Sequence, residues 1–223
     1  VHSATKFLGG HGNSMGGVIV DGGRFDWLKT DRYPMISAPR PEYQDMVLGK
    51  IFGNFAFAIA VRVLGLRDIG PAISPFNAFQ ILTGIETLPL RMRKHCDNAL
   101  EVAKWLAARP EVSWVNYAGL ESDANHALAE KYLPKGAGAV FTFGLKGGYE
   151  AGVRLVSKVK LFSHLANIGD TRSLVIHPAS TTHRQLSDAQ KTAAGAGPDV
   201  VRLSIGIEDA ADLIADLEQA IAG

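Results

Sequence analysis

Val1-His2-Ser3-Ala4-Thr5-Lys6-Phe7-Leu8-Gly9-Gly10-His11-Gly12 sets two hydroxyls just before an amine and follows them with glycines. A short strand leads into the amine. The Gly-rich turn of Gly9 to Gly17 leads away from it, and Gly17-Val18-Ile19-Val20, closed by Asp21-Gly22-Gly23, reads as a second strand. The chain beyond this turn decides the scaffold on which the amine is mounted.

Residues 31–45 carry Pro34, Pro39 and Pro41 and read as an irregular loop, while Phe52 to Leu66 is apolar enough for a buried helix. Ser74-Pro75 is a helix start, with serine as the cap and proline at the first helical position. The apolar pattern then runs from Phe76 to about Ala108, with Pro89 marking a kink or break. After Pro110 the pattern changes. Short β-like segments (Val112 to Tyr117, Ala139 to Leu145, Ser173 to His177, Val200 to Ile207) alternate with helical ones (Asn125 to Tyr132, Tyr149 to Leu161, Ser187 to Ala194, Asp209 to Ala222). In the last helix Asp209 is the expected cap, and Ala210, Leu213, Ile214, Leu217 and Ile221 form one apolar stripe. Ser187-Asp188-Ala189-Gln190 fits a capping box. The class is α/β, with a domain change near residues 85–110.

A chain of 223 residues, 47% hydrophobic and 20% charged, can bury a real core as one large domain or two modest ones. Its 23 basic and 22 acidic side chains nearly cancel, so charge makes no case for nucleic acid or an anionic membrane. The longest apolar stretches, Phe55 to Val61 and Ala139 to Phe143, are expected to be far too short to span a bilayer. No basic region followed by an apolar run opens the sequence, and the expected compartment is the cytoplasm. Cys96 is the single cysteine, which rules out an internal disulfide and a thiolate metal cluster.

A lysine amine condenses with an aldehyde, and small hydroxyls beside it hold a phosphate. Ser3, Thr5 and Lys6 therefore describe a seat for pyridoxal phosphate (PLP), whose two handles are those groups. Against this, most lysines are solvated, and a lone Ser-x-Thr-Lys string is common; the glycines raise the odds by letting backbone amides approach an anion. Ser3-Ala4-Thr5-Lys6 also satisfies a Ser-x-x-Lys acyl-enzyme signature, but Phe7-Leu8-Gly9-Gly10 is a poor helix and the companion strings are missing. Gly10-His11-Gly12 fails the dinucleotide spacing, because Met15 stands where the third glycine belongs. No metal site is expected: His177 and His183 flank Pro178-Ala179-Ser180 and read as supporting or surface histidines, and no His-Glu-x-x-His string occurs. Cys96 reads as a packing residue.

Arg202 is the second candidate. In Val200-Val201-Arg202-Leu203-Ser204-Ile205-Gly206-Ile207, alternation puts Leu203, Ile205 and Ile207 on one face and Arg202 with Ser204 on the other. An arginine in so apolar a strand needs an anionic partner. Either an internal carboxylate or the carboxylate of a substrate satisfies it, and the sequence leaves the two even.

Together with the opening stretch, Ser74-Pro75-Phe76-Asn77-Ala78-Phe79, Glu86-Thr87-Leu88, His177-Pro178-Ala179-Ser180 and Arg202-Leu203-Ser204-Ile205-Gly206-Ile207-Glu208-Asp209 resemble the Cys/Met-metabolism family of PLP enzymes. Phe25-Asp26-Trp27, Pro39-Arg40-Pro41, Phe52-Gly53-Asn54 and Leu161 through Asp170 look like its O-acetylhomoserine sulfhydrylase branch. The resemblance runs over essentially the whole sequence but covers only the C-terminal half of the family. It implies an α/β PLP-dependent transferase fold of the aspartate-aminotransferase type, with residues 1–85 finishing the large cofactor domain and 86–223 forming the small one. It implies that Lys6 carries pyridoxal 5'-phosphate covalently, that Ser3 and Thr5 bind its phosphate, and that Arg202 holds the substrate carboxylate. Asn167 falls near that carboxylate, and Thr182 supports the same pocket. The implied activity is γ-replacement on O-acetyl-L-homoserine by sulfide or a small thiol, in a homo-oligomer with shared active sites, commonly a tetramer. Another enzyme of the family, such as a cystathionine γ-synthase or methionine γ-lyase, and a non-catalytic fragment stay open. The aromatic ring and the aspartate that the family places around the PLP ring belong to its other half.

Overall fold

The computed structural model describes residues 1–223, and the chain falls into two compact units. The first comprises Val1–Ser3 and Gly16–Ala78, the second Ala4–Met15 and Phe79–Gly223. Residues 4–15 thus pack with a unit whose remainder begins far along the sequence.

In the first unit β1 (His2–Ser3) pairs antiparallel with β2 (Gly17–Val18), which is shorter than the strand expected to run to Val20. The proline-rich stretch is not wholly irregular. It winds into the short helix α1 (Pro34–Ser37) and a 3-10 turn at Pro41–Tyr43, each with proline where no N–H is required. A helical run comes next: α2 (Leu48–Phe52), a turn at Gly53–Phe55, α3 (Ala56–Ala60) and a π turn over Val61–Arg67. Gly53, at φ 48°, interrupts it. Ala56, Ala60 and Leu64 recur at helical spacing and pack with Ile36 and Leu48, while the Phe57 ring stacks on Trp27 at 5.4 Å.

This run departs from expectation in two ways. The helix over Phe52 to Leu66 buries one stripe instead of its whole surface, leaving Phe55 exposed. Leu48–Arg67 as a whole is 20 residues long and apolar enough to cross a bilayer, although each uninterrupted apolar run within it is short. Lys50, Arg62 and Arg67 divide those runs, and the stripe formed by Ala56, Ala60 and Leu64 packs into the unit's own core.

Beyond this run lies α4 (Pro75–Glu86), where the Ala78 N–H reaches the Ser74 carbonyl at 2.9 Å. The expected break falls at Thr87, and α5 (Leu88–Ala107) restarts with Pro89 in its first turn. Proline lacks an N–H and clashes with the preceding turn, so it is accommodated only where a new helix begins.

The second unit is built on a five-stranded sheet: β3 (Val112–Asn116), β4 (Val140–Leu145), β5 (Ser163–His164), β6 (Leu174–Ile176) and β7 (Val200–Ser204). Their spatial order is β3-β4-β7-β6-β5, antiparallel throughout except for β5 with β6. Between the strands lie α6 (His126–Tyr132), α7 (Gly148–Lys158) and α8 (Asp188–Ala193), and α9 (Ala210–Ala222) ends the chain. Phe141, Phe143, Val201, Leu203 and Ile205 form one core with Val102 and Leu106 of α5, Leu155 of α7, and Leu213 and Leu217 of α9. The caps expected at Ser187 and Asp209 form. Ser187 and Gln190 make the reciprocal capping box, and the Asp209 carboxylate accepts the Ala211 N–H.

Polar ties that hydrophobic patterning does not reveal fix the loops. Asp216 on α9, only 7% exposed, accepts three backbone N–H groups: Lys160 and Leu161 at 2.8 Å and Phe162 at 3.0 Å. Ser173 and Glu208 share two hydrogen bonds, of 2.6 and 2.9 Å, and the Ser173 hydroxyl receives the Gly206 N–H. Burial alone would raise the Asp216 carboxyl, but the three N–H donors and the Gln219 amide outweigh it and leave the group below its ordinary value. Asp216→Ala should therefore cost about 2 kcal/mol in denaturant unfolding of the full-length protein, by stranding those donors. Because the folded pKa is depressed, the wild-type advantage should be complete above the ordinary carboxylate range and should disappear as pH falls through the folded value. An equal unfolding midpoint for the two proteins at neutral pH would refute the anchor.

Candidate active site

The Lys6 turn spans Ala4–Leu8 and departs from helical geometry at Lys6 itself (φ −88°, ψ −129°). The Gly9 N–H closes it on the Ala4 carbonyl at 2.9 Å, and the Gly10 N–H on the Lys6 carbonyl at 2.7 Å. Gly10 has φ 74°, the left-handed conformation that lets the chain reverse directly after the turn. Lys6 is half-buried, and its Nζ donates to the Asn167 side-chain oxygen.

Asn167 lies in the loop between β5 and β6, and three ties hold that loop. The Gly169 N–H donates to the Ser204 hydroxyl at 3.0 Å, the Thr171 N–H reaches the Gly10 carbonyl at 2.8 Å, and the Ile207 N–H reaches the Thr171 carbonyl at 2.9 Å. Gly169 is required on two counts. Its φ is 75°, and a methyl in place of its hydrogen would lie 2.6 Å from the Phe7 nitrogen. Asp170, almost fully buried, accepts the Arg172 N–H at 3.1 Å and its guanidinium at 3.2 Å, and Arg172 in turn reaches the His11 carbonyl. Burial would raise the Asp170 carboxyl, and the Arg172 bonds bring it below its ordinary value instead.

Arg202 projects from the middle strand β7, where its register partners are Thr142 on β4 and Ile176 on β6. Its neighbours Val201 and Leu203 are fully buried, as the alternation requires. The guanidinium donates to the Asn167 backbone carbonyl at 3.4 Å and forms no ion pair with a carboxylate of this chain. Burial draws its pKa below the ordinary arginine value. Of the two readings left even by the sequence, the internal salt bridge is not what forms. A half-buried cation without an anion carries a desolvation cost that a bound anion would offset.

Lys6, Asn167 and Arg202 therefore come together, with Asn167 bonded to both cations. Thr5 is half-buried in the Lys6 turn, and Ser3 is exposed in β1 of the first unit. Thr182 does not join the three: it is exposed, and its hydroxyl pairs with the adjacent His183 ring at 2.9 Å. His177 is fully buried between the Ser180 hydroxyl and the Pro198 carbonyl, both at 2.9 Å, and holds the turn after β6. Cys96 is buried, and burial raises its thiol pKa, which suits a packing residue. Gly169, Asp170 and Arg91 were not singled out from the sequence. An arginine in the first turn of a helix, against the dipole, is the one signal that could have exposed Arg91.

The donor set suits PLP together with an amino-acid substrate: an amine on a tight turn with a hydroxyl beside it, and a guanidinium aimed at the same loop. Comparison with known proteins agrees. Residues 1–222 match the family described as Cys/Met metabolism PLP-dependent enzyme. O-acetyl-L-homoserine sulfhydrylase 1 of Thermus thermophilus is 52% identical over 221 residues, which are 99% of this chain and 52% of that protein. Homocysteine synthase of Schizosaccharomyces pombe is 51% identical over 221 residues, with the same coverage of 99% and 52%. A crystal structure described as a putative O-acetylhomoserine (thiol)-lyase of Campylobacter jejuni, with a pyridoxyl-lysine monophosphate, superposes with a TM-score of 0.91 at 41% identity. It covers 100% of this chain and 53% of its own. The chain thus spans about half the length of the curated relatives it matches, and its fold is the α/β PLP-dependent transferase fold. On the strength of the family match and this shared fold, the chain belongs to the Cys/Met-metabolism family of PLP-dependent enzymes.

Proposed function

We propose that the full-length protein catalyses γ-replacement on O-acetyl-L-homoserine, taking sulfide or a small thiol and releasing acetate with L-homocysteine or its thioether. The observation that carries this reading is the meeting of Lys6 and Arg202 on Asn167, an amine and a carboxylate receptor on one loop. PLP, when bound, stores the electrons released at the substrate's α-carbon. Lys6 anchors the cofactor through its amine and, once free, moves protons at the α- and β-carbons. Ser3 and Thr5 hold the phosphate. Arg202 fixes the substrate carboxylate with its planar fork, which sets the orientation of the bonds to be broken. Asn167 gives the Lys6 amine a fixed acceptor when it is not engaged. On this reading residues 1–85 complete the large cofactor domain and 86–223 form the small one. The protein works in the cytoplasm as a tetramer built from two dimers, each sharing its active sites between subunits.

The relatives named sulfhydrylase and homocysteine synthase support this choice within the family. Borohydride reduction of the full-length protein followed by peptide mass spectrometry should place a pyridoxyl group on Lys6. Lys6→Ala should abolish both the label and turnover, and near-normal activity in that variant would end the assignment. Assays with sulfide, cysteine and methionine separate the sulfhydrylase from a cystathionine γ-synthase and a methionine γ-lyase. Arg202→Lys keeps the charge and loses the fork, so KM for the amino-acid substrate should rise roughly 30-fold, about 2 kcal/mol. An unchanged KM would remove Arg202 from the carboxylate site.

A further inference from the structure

Arg91 lies in the first turn of α5, where the helix dipole disfavours a cation, and it is only 5% exposed. It has no carboxylate partner. Instead its guanidinium gathers backbone carbonyls. Nη1 donates to Phe7 O at 3.0 Å, and Nη2 donates to Leu8 O at 3.3 Å and to Gly84 O at 2.6 Å. Nε donates to the Thr87 hydroxyl at 3.1 Å. These carbonyls lie at the end of the Lys6 turn and in the last turn of α4, where helices leave acceptors unpaired and partly negative. The fit is tight on both sides. A methyl on Gly10 would lie 2.6 Å from the Arg91 Cζ, and one on Gly84 would lie 2.9 Å from the Leu8 carbonyl oxygen. His95, one turn further along α5, completes the clamp: its Nδ1 donates to Ile205 O at 2.6 Å, and its ring meets the Phe7 ring edge-on at 5.3 Å.

We propose that Arg91 is a positioning residue for Lys6. It holds the carbonyls of the two residues just after Lys6 and so sets the direction in which the amine is presented to Asn167. The inference rests on the reading of Lys6 as the PLP anchor, and its test separates the two.

In the full-length protein, Arg91→Met should keep PLP covalently on Lys6 at wild-type stoichiometry. Its visible circular dichroism, which reports a fixed cofactor orientation, should fall at least about threefold. The kcat should drop about tenfold or more, with KM for the amino-acid substrate changed less than about threefold. Arg91→Lys supplies one compact charge that cannot reach all three carbonyls, and it should fall between the two. Thr87→Val removes the partner of Nε, together with the hydroxyl's own 3.3 Å bond to the Gly84 carbonyl, and should shift both readouts slightly in the same direction; it decides the matter if Arg91→Met does not fold. Wild-type dichroism and kcat in Arg91→Met, or in Thr87→Val where that variant decides, would overturn the proposal. A label found elsewhere than Lys6 in the wild-type protein would overturn the PLP assignment, and the Arg91 proposal with it.

Discussion

Two arginines without carboxylate partners set the terms for the second unit. Arg91 is engaged by the Phe7 and Leu8 carbonyls, distant in sequence, and by the nearby Gly84 carbonyl, whereas Arg202 makes a single bond, at 3.4 Å, to the Asn167 carbonyl. A guanidinium carries several N–H donors in a rigid plane, so it constrains the segments it binds as well as compensating its own burial. The cost is an uncompensated charge in low dielectric, which an ion pair would have cancelled. The outcome is a Lys6 turn held through its Phe7 and Leu8 carbonyls by Arg91, and an Arg202 guanidinium left without an anion. Both sides meet at Asn167, the residue that touches the lysine through its side chain and the arginine through its backbone.

The supports for this arrangement radiate through polar contacts. Asp216 gathers the backbone just before β5, the Ser204 hydroxyl holds Gly169, and Ser173 with Glu208 holds the turn after β7. Asp216, Ser204 and Ser173 are buried and Glu208 half-buried, and their hydrogen bonds to backbone N–H groups hold these loops. The apolar core beneath supplies the platform, and these bonds supply the aim.

The regular part of the second unit was legible in the sequence. Alternation placed β4, β6 and β7 within a few residues, the spacing of Leu213 and Leu217 placed α9, and Ser187 and Asp209 announced their helices through local hydrogen bonds. Arg202 stood out as a cation inside an apolar strand, and Lys6 through the hydroxyls before it and the glycines after it. The first unit was less readable, because Gly53 and the prolines break its helices into pieces too short for a periodic signal. The two-residue strand β5 had no pattern to show. Arg91, His95 and Asp216 were missed because their partners lie far along the chain, at Phe7, Ile205 and Lys160, and such pairing leaves no mark on spacing. The family resemblance implies that Thr182 supports the pocket; in the structure its hydroxyl is paired with His183, a contact between neighbours that a motif does not specify.

The inclusion of residues 4–15 in the second unit bears on cooperativity. A five-residue turn standing alone would open and close freely, and its amide protons would exchange with solvent almost unprotected. Here the Gly10 carbonyl is bonded to Thr171, and the Phe7 and Leu8 carbonyls are bonded to Arg91, so the turn cannot open without disturbing α5 and the loop before β6. The Gly9 and Gly10 amides should then exchange at the rate of a larger opening of the second unit, not of a local fluctuation. The lysine turn belongs, in that kinetic sense, to a foldon assembled mostly from residues beyond position 79.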